Sequence, residues 1–411
     1  MALTRRQFMA GAAAATAAGV YINPRSARAN PNDRLGVALI GCGNRGTGMV
    51  GQLVEARDEL NLEFPAICDV WQAQLDSASE SLRQATGRAP KTFTRHQDLL
   101  ELPEVDAVFI ATPDFTHSPI LIDAAKAGKH AFVEKPMAQR LEDANAAVDA
   151  VEESGIVCQV GTQRRADGRH RAAAKFVQSG ALGKIVKAEC GWNRNVPSWE
   201  RPYDHITEDE VDWEQFLSYL DPRPFDPRRF RCWHLYRDYA LGLVNLLGSH
   251  LIDIAQWYTD DPYPETAVGV EALQVYTNRE NADLQEIVYT FPKGHVVRFE
   301  SRLNNSYRWM GAENVFSGTK GVFDTNSWTA RGDGAIGEVE AIEDAIEIEP
   351  EEVDGGIMQN WLRCIRENRT DTYAPVHAGH AHSVAGILGY LAAYTGKRHV
   401  YHPGTRAIFE A

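Results

Sequence analysis

The feature that most limits what this chain can fold into is a six-residue turn, Gly41-Cys42-Gly43-Asn44-Arg45-Gly46. It follows the apolar run Leu35–Ile40 and precedes a helical pattern. In a GxGxxG turn between strand and helix, the first glycine permits the tight turn. The second lets backbone approach a pyrophosphate, and the third lets the helix pack closely on the strand. Amides at the helix start then face the phosphates. Asp69 ends the next apolar run, 23 residues beyond Gly46. A carboxylate there accepts hydrogen bonds from the adenosine ribose hydroxyls and repels a 2′-phosphate, so NAD is expected and NADP disfavoured. FAD uses the same fingerprint and stays open as an alternative.

The rest of the first half continues in kind. Strands are predicted over Glu63–Val70, Val105–Ala111, His130–Val133 and Ile156–Val160, and helices over Pro119–Ala127 and Leu141–Ser154. Strands alternating with helices predict a doubly wound parallel sheet covered on both faces. The second half reads differently. Val186, Ala188, Cys190 and Trp192 alternate with polar or small residues, and Ala267–Thr277, Leu284–Phe291 and Val296–Arg302 repeat the pattern. Pro292-Lys293-Gly294 reads as a hairpin turn. These runs predict an antiparallel or mixed sheet with one wet face and helices on one side. Helices are expected to resume over Ile357–Asn368 and His380–Tyr394. At 411 residues the chain exceeds what one core holds. The expected organisation is an α/β chain with a dinucleotide-binding domain over 33–160 and a second domain over 161–411.

Residues 1–29 read as a removable export signal. Thr4-Arg5-Arg6-Gln7-Phe8-Met9 resembles a twin-arginine signal, a mild Ala/Gly stretch follows, and Ala27-Arg28-Ala29 offers a small-x-small cleavage site. The stretch is too short and too mild for a stable membrane anchor. The expected partner is the twin-arginine export machinery and the expected location periplasmic. The formal charge of −14 excludes the basic footprint of a nucleic-acid binder. The six cysteines show no metal-ligand spacing and are expected to be buried small hydrophobes, with no metal bound. Glu338–Asp354, with nine carboxylates, is expected to be a solvated connection.

Three segments together resemble the Gfo/Idh/MocA family: the Gly41–Gly46 turn, Ala111-Thr112-Pro113-Asp114-Phe115-Thr116-His117, and Gly128-Lys129-His130-Ala131-Phe132-Val133-Glu134-Lys135-Pro136. The resemblance implies a Rossmann domain followed by a substrate-binding and oligomerisation α/β domain whose large, mostly antiparallel open sheet forms homodimer or homotetramer interfaces. It implies that Thr112, Pro113 and His117 line the path from adenosine to nicotinamide, with Gln163 near the nicotinamide and Glu134 among the cofactor-binding residues. It implies that Lys135 stands beside the nicotinamide ribose and the substrate hydroxyl. The residues agree: a lysine at the carboxyl end of a parallel strand lies where ligands bind in such sheets, and its ammonium stabilises a developing alkoxide. The resemblance also implies a cis peptide before Pro136.

His250 and Asp253, at i and i+3, are the expected acid/base pair. The family commonly carries an aspartate four residues before this histidine, where Leu246 stands here. Either Asp253 orients His250, or another group does, or simple alcohol oxidation is not the reaction. The segment from 192 to 240 holds Trp192, Trp199, Trp213 and Trp233 with Tyr203, Tyr219, Tyr236 and Tyr239. Arg194, Arg201, Arg231, Arg237, His234 and Asp238 lie among them. Aromatic faces stack on sugar C–H surfaces and such polar groups bond hydroxyls, so a sugar or cyclitol is the expected substrate. The leading expectation is hydride transfer between a sugar or cyclitol hydroxyl and a tightly bound nicotinamide. The alternatives are a NAD-dependent glycoside hydrolase or lyase using transient oxidation, and a non-catalytic NAD-occupied sugar-binding protein.

Overall fold

A computed structural model of the chain describes residues 34–196, 200–308 and 313–411. The export signal expected over 1–29, and Trp199, lie outside the described residues.

The first sheet comprises β1 (Leu35–Ile40), β2 (Leu62–Glu63), β3 (Ala66–Cys68), β4 (Lys91–Phe93), β5 (Ala107–Ile110), β6 (His130–Val133) and β7 (Cys158–Val160). Its order is β4-β3-β1-β5-β6-β7, with β2 beside the start of β1. Every pairing is parallel. Strands buried on both faces must be apolar along their whole length, and all of β1 and β5 is buried. The chain leaves β1 towards β3 on one side and towards β5 on the other. A crevice therefore opens at the carboxyl ends of these strands. The run expected as one strand from Glu63 to Val70 is two: Pro65 has no amide to give the ladder, so β2 and β3 pair separately with successive parts of β1. Helix Asn44–Glu55 buries Met49, Val50 and Leu53 against the sheet.

A later segment also joins this core. Helix Ile357–Glu367 contributes Ile357, Met358, Trp361 and Leu362 to the same apolar cluster as β1 and β5–β7. The amide of Val160 donates to the carbonyl of Ala374 at 2.8 Å.

The second sheet has ten strands: β8 (Ile185–Asn193), β9 (Thr266–Ala272), β10 (Leu284–Thr290), β11 (Val296–Arg302), β12 (Glu313–Gly318), β13 (Gly321–Asp324), β14 (Thr329–Arg331), β15 (Ile346–Glu347), β16 (His399–His402) and β17 (Ala407–Glu410). Their order is β15-β14-β13-β12-β8-β11-β10-β9-β16-β17, and only β8–β11 is parallel. Helices Gly168–Gln178, Gly248–Thr259 and Val376–Thr395 cover one face through Ala174, Ile252 and Leu388. The other face carries exposed Val268, Val270 and Val288 beside the ion pairs of Arg298 with Glu286 and Glu189. The acidic stretch is not solvated throughout. β15 extends the sheet edge, Ile348 is buried, and Glu351 pairs with Arg171 at 2.9 Å.

All six cysteines are free and buried. Among the described residues no group of side chains could hold a metal ion, and no helix is long and apolar enough to cross a membrane.

Candidate functional site

The carboxyl ends of β1, β3, β5 and β6 open into a cavity of about 450 Å³. Gly41, Gly43, Asn44, Arg45, Asp69, Thr112, Pro113, His117, Glu134, Lys135, Gln163 and His250 all line it. Of the other expected residues, Gly46 is buried in the first turn of the helix below, and Asp253 does not reach the cavity.

The glycine turn is built by close approach. Gly41 has φ +94°, and a Cβ there would meet the carbonyl of Ala111 at 2.6 Å. A Cβ on Gly46 would stand 1.9 Å from the carbonyl oxygen of Gly41, whereas one on Gly43 would meet nothing within 4 Å. Two glycines thus close the turn on itself and the middle one leaves open space. The amides of the first helical turn have no partner within the helix. Asp69 ties the turn to the end of β3: its carboxylate accepts from the amides of Cys42 at 2.7 Å and Trp71 at 2.9 Å. Burial raises the Asp69 carboxyl above its usual range, opposed by these amides and by Arg231. This cradle fits a dinucleotide: bare backbone where a pyrophosphate lies and a carboxylate at the ribose.

At the other end, Glu134 is buried and accepts from Arg45 Nε at 2.6 Å, bridging the glycine turn and the end of β6. Gly161 makes the room, since a Cβ there would lie 2.8 Å from the Glu134 carboxyl carbon. The Lys135–Pro136 peptide is cis. The ring nitrogens of buried His117 lie 2.7 Å from the carbonyl of Pro136 and 2.8 Å from that of Thr112. His117 thereby joins the two loops that border the cavity. Burial lowers its pKa, opposed by the hydrogen bonds to these two carbonyls.

Lys135 Nζ donates to the carbonyl of Leu246 at 2.9 Å. The backbone of position 246 thus holds the lysine. Burial lowers the Lys135 pKa, with Asp114 and Glu134 opposing. His250 packs against Trp192, ring centroids 5.7 Å apart. Burial, then the positive charges of Lys135 and Arg164, hold its pKa well below the usual value, so the imidazole is neutral.

Asp253 does not orient His250. Both oxygens of its buried carboxylate are taken by Arg165, at 2.9 and 3.0 Å. Proximity at i, i+3 does not fix a partner when a guanidinium from the turn Gln163–Ala166 presents a better one. The Asp253→Ala variant leaves that partly buried guanidinium without its carboxylate and is expected to lose about 3 kcal/mol of stability. A denaturation midpoint equal to that of the native chain would refute this.

One site residue escaped the sequence reading. Asp114, in the turn after β5, lines the cavity at 4% exposure, and its Oδ2 has no hydrogen-bond partner. Burial raises its pKa to about 8, against the opposing charge of Lys135. It holds its proton at neutral pH. Its folded value lies above the unfolded value near ~3.9, so the stability it contributes at low pH is lost as pH rises from about 4 to about 8. Asp114→Asn should remove that slope. Between about pH 5 and pH 8.5 the nucleotide-free native chain should lose melting temperature relative to the variant, and parallel profiles would contradict the assignment.

The aromatic segment expected to stack on sugar is mostly roof. Trp213, Phe216, Phe230, Tyr236 and Tyr239 form a buried cluster with Trp71 and Phe115 of the first half. The segment is pinned there by the bridge between Trp71 and Val211 and by the Asp212 amide, which donates to Val70 at 2.7 Å. Among the described residues, Arg201, Arg231 and Trp233 are the expected sugar-binding residues that line the cavity. Arg237 and Asp238 are ion-paired to Glu271 and Arg223.

Comparison with known proteins agrees with this geometry. Residues 35–162 match the oxidoreductase family, NAD-binding Rossmann fold, of the GFO/IDH/MocA group, and residues 216–324 match the GFO/IDH/MocA C-terminal domain. The chain is 28% identical over 357 residues to glycosyl hydrolase family 109 protein 1 of Shewanella sp. (strain ANA-3), covering 78% of this chain and 73% of the relative. It is 45% identical over 89 residues to the scyllo-inositol 2-dehydrogenase (NAD(+)) of Bacillus subtilis (strain 168), covering 22% of this chain and 26% of the relative. The fold matches that of the WlbA dehydrogenase from Bordetella pertussis, solved with NADH and UDP-GlcNAcA, with TM-score 0.68 at 21% identity over 90% of this chain and 99% of that one. With its glycine turn, its Glu-Lys-Pro strand end and both domains matched over more than half its length, the chain belongs to the Gfo/Idh/MocA family of oxidoreductases.

Proposed function

We propose that this chain is a NAD-dependent oxidoreductase that moves a hydride between a sugar or cyclitol hydroxyl and a tightly held cofactor. The observation that carries this reading is the convergence of Lys135 and His250 on one cavity that begins at the glycine turn. The turn would hold the pyrophosphate, Asp69 the adenosine ribose, and Thr112, Pro113, Glu134 and Gln163 the nicotinamide half. A bound nicotinamide supplies the hydride acceptor. Lys135 exchanges the Leu246 carbonyl for the substrate oxygen and stabilises the negative charge that grows on it. His250, kept neutral by burial and then by nearby positive charges, takes the hydroxyl proton at a ring nitrogen. Asp69 supports NAD over NADP through repulsion of a 2′-phosphate. The twin-arginine-like leader supports export with cofactor already bound, and the exposed valines of the second sheet support association of identical chains.

A second reading, a NAD-dependent glycoside hydrolase, is favoured by one observation. His250 has no carboxylate to stabilise its protonated form, while Asp114 offers a protonated carboxyl that could protonate a leaving group. The 28% identity to the Shewanella family 109 protein points the same way.

One experiment separates these readings. Gently denatured protein should release NAD, identified by mass spectrometry. The loaded protein is then given a panel of sugars, cyclitols and aryl glycosides. Accumulating reduced cofactor supports the dehydrogenase. Aglycone release without net reduction supports the hydrolase. Recovery of NADP would overturn the Asp69 argument. A protein that neither releases nor binds a nicotinamide nucleotide would end both readings.

A further inference from the structure

From residue 201 to residue 240 the roof segment carries six arginines with different fates. Arg223, Arg228, Arg229 and Arg237 are each ion-paired, to Asp238, Glu200, Glu280 and Glu271. Arg201 and Arg231 make no ion pair with any carboxylate among the described residues, and these two line the cavity. They are half-buried and lie close enough for the charge of one to disfavour that of the other. Arg231 stands over the Trp71 ring, 5.6 Å from its centroid, in reach of the Asp69 charge. Arg201 lies in reach of Asp114, towards Lys135. Two like charges gathered in a partly desolvated cleft, on a segment that neutralises its other arginines, lack an anion. Across the same cavity lies the open space over Gly43.

We infer that Arg201 and Arg231 form the roof half of a phosphate site, binding the pyrophosphate oxygens of the dinucleotide that the glycine turn holds from below. The inference rests on the dinucleotide reading above. It gives the roof a second task. The bridge between Trp71 and Val211 and the bond from Asp212 to Val70 hold this segment over the cleft. Retention of the nucleotide then depends on charge as well as on enclosure.

The test uses full-length protein stripped of nucleotide, with NAD, NADP, ADP-ribose and adenosine as probes in calorimetric titrations. Arg201→Gln and Arg231→Gln should each weaken NAD and ADP-ribose about 10-fold or more, the double variant further, and leave adenosine unchanged. The nucleotide-free double variant should melt no lower than the native chain, because it removes an unpaired like-charge contact. A structural role would lower that melting point and would overturn the inference. So would NAD binding by the double variant within twofold of native. Equal weakening of adenosine would assign the pair to stacking, and loss confined to NADP would assign it to a ribose 2′-phosphate, each against the proposal. If the native chain binds none of the dinucleotides, the functional reading itself fails, an outcome distinct from all of these.

Discussion

Lys135→Ala should lower hydride transfer by on the order of 10²- to 10⁴-fold while leaving bound nucleotide in place. The ammonium is the one cation that the carboxyl end of β6 presents to the cavity, and it is held there by the Leu246 carbonyl at 2.9 Å. Burial has already removed much of its water, so its charge acts on a nearby oxygen in a medium of low polarity. The loss should fall on kcat more than on KM, because the charge it stabilises grows only as the hydride departs. The measurement is single-turnover reduction of the bound cofactor, with mass spectrometry confirming that the variant remains loaded. A loaded variant that turns over at the native rate would move the chemistry away from Lys135 and favour a non-catalytic sugar-binding protein.

The second large effect concerns the glycine turn, where two substitutions of equal size should act in different ways. In Gly46→Ala the new methyl would stand 1.9 Å from the carbonyl oxygen of Gly41, a backbone atom that cannot swing aside. The helix must move off β1, with a cost to stability of about 1–3 kcal/mol and loss of nucleotide binding. In Gly43→Ala the methyl meets nothing within 4 Å, so the protein should fold and melt as the native chain does. Its methyl fills the open space where a pyrophosphate would approach, so nucleotide affinity should fall by roughly 100-fold or more. Calorimetric titration and thermal melting on both variants read the difference. Native affinity in Gly43→Ala would mean that the pyrophosphate lies elsewhere.

Much of the first half is legible because its information is local. The apolar run from Leu35 to Ile40 and the glycine spacing behind it are patterns within a dozen adjacent residues, and Asp69 is marked by its place at the end of the next apolar run. Helix Leu141–Ser154, closed by Gly155 in the left-handed conformation, is the same kind of signal. Local reading failed where a partner came from far along the chain. The spacing of His250 and Asp253 suggested a pair, but Arg165, 88 residues away, holds the aspartate. The aromatic segment looked like a sugar platform, yet most of its rings close a hydrophobic roof against Trp71 and Phe115. Helix Ile357–Glu367 gave no hint that it returns to the first core.

The amino-acid order alone determined the parallel sheet, its nucleotide-binding turn, the expected lysine and the antiparallel character of the second sheet. These follow from backbone geometry and from a periodicity that a few adjacent side chains already express. Only the tertiary structure decided that Asp114 is sealed away with a proton, that His250 stands among cations, and that Arg201 and Arg231 face a cleft unpaired. Burial and electrostatic environment are sums over residues brought together from distant parts of the chain, and no short stretch of sequence contains those sums.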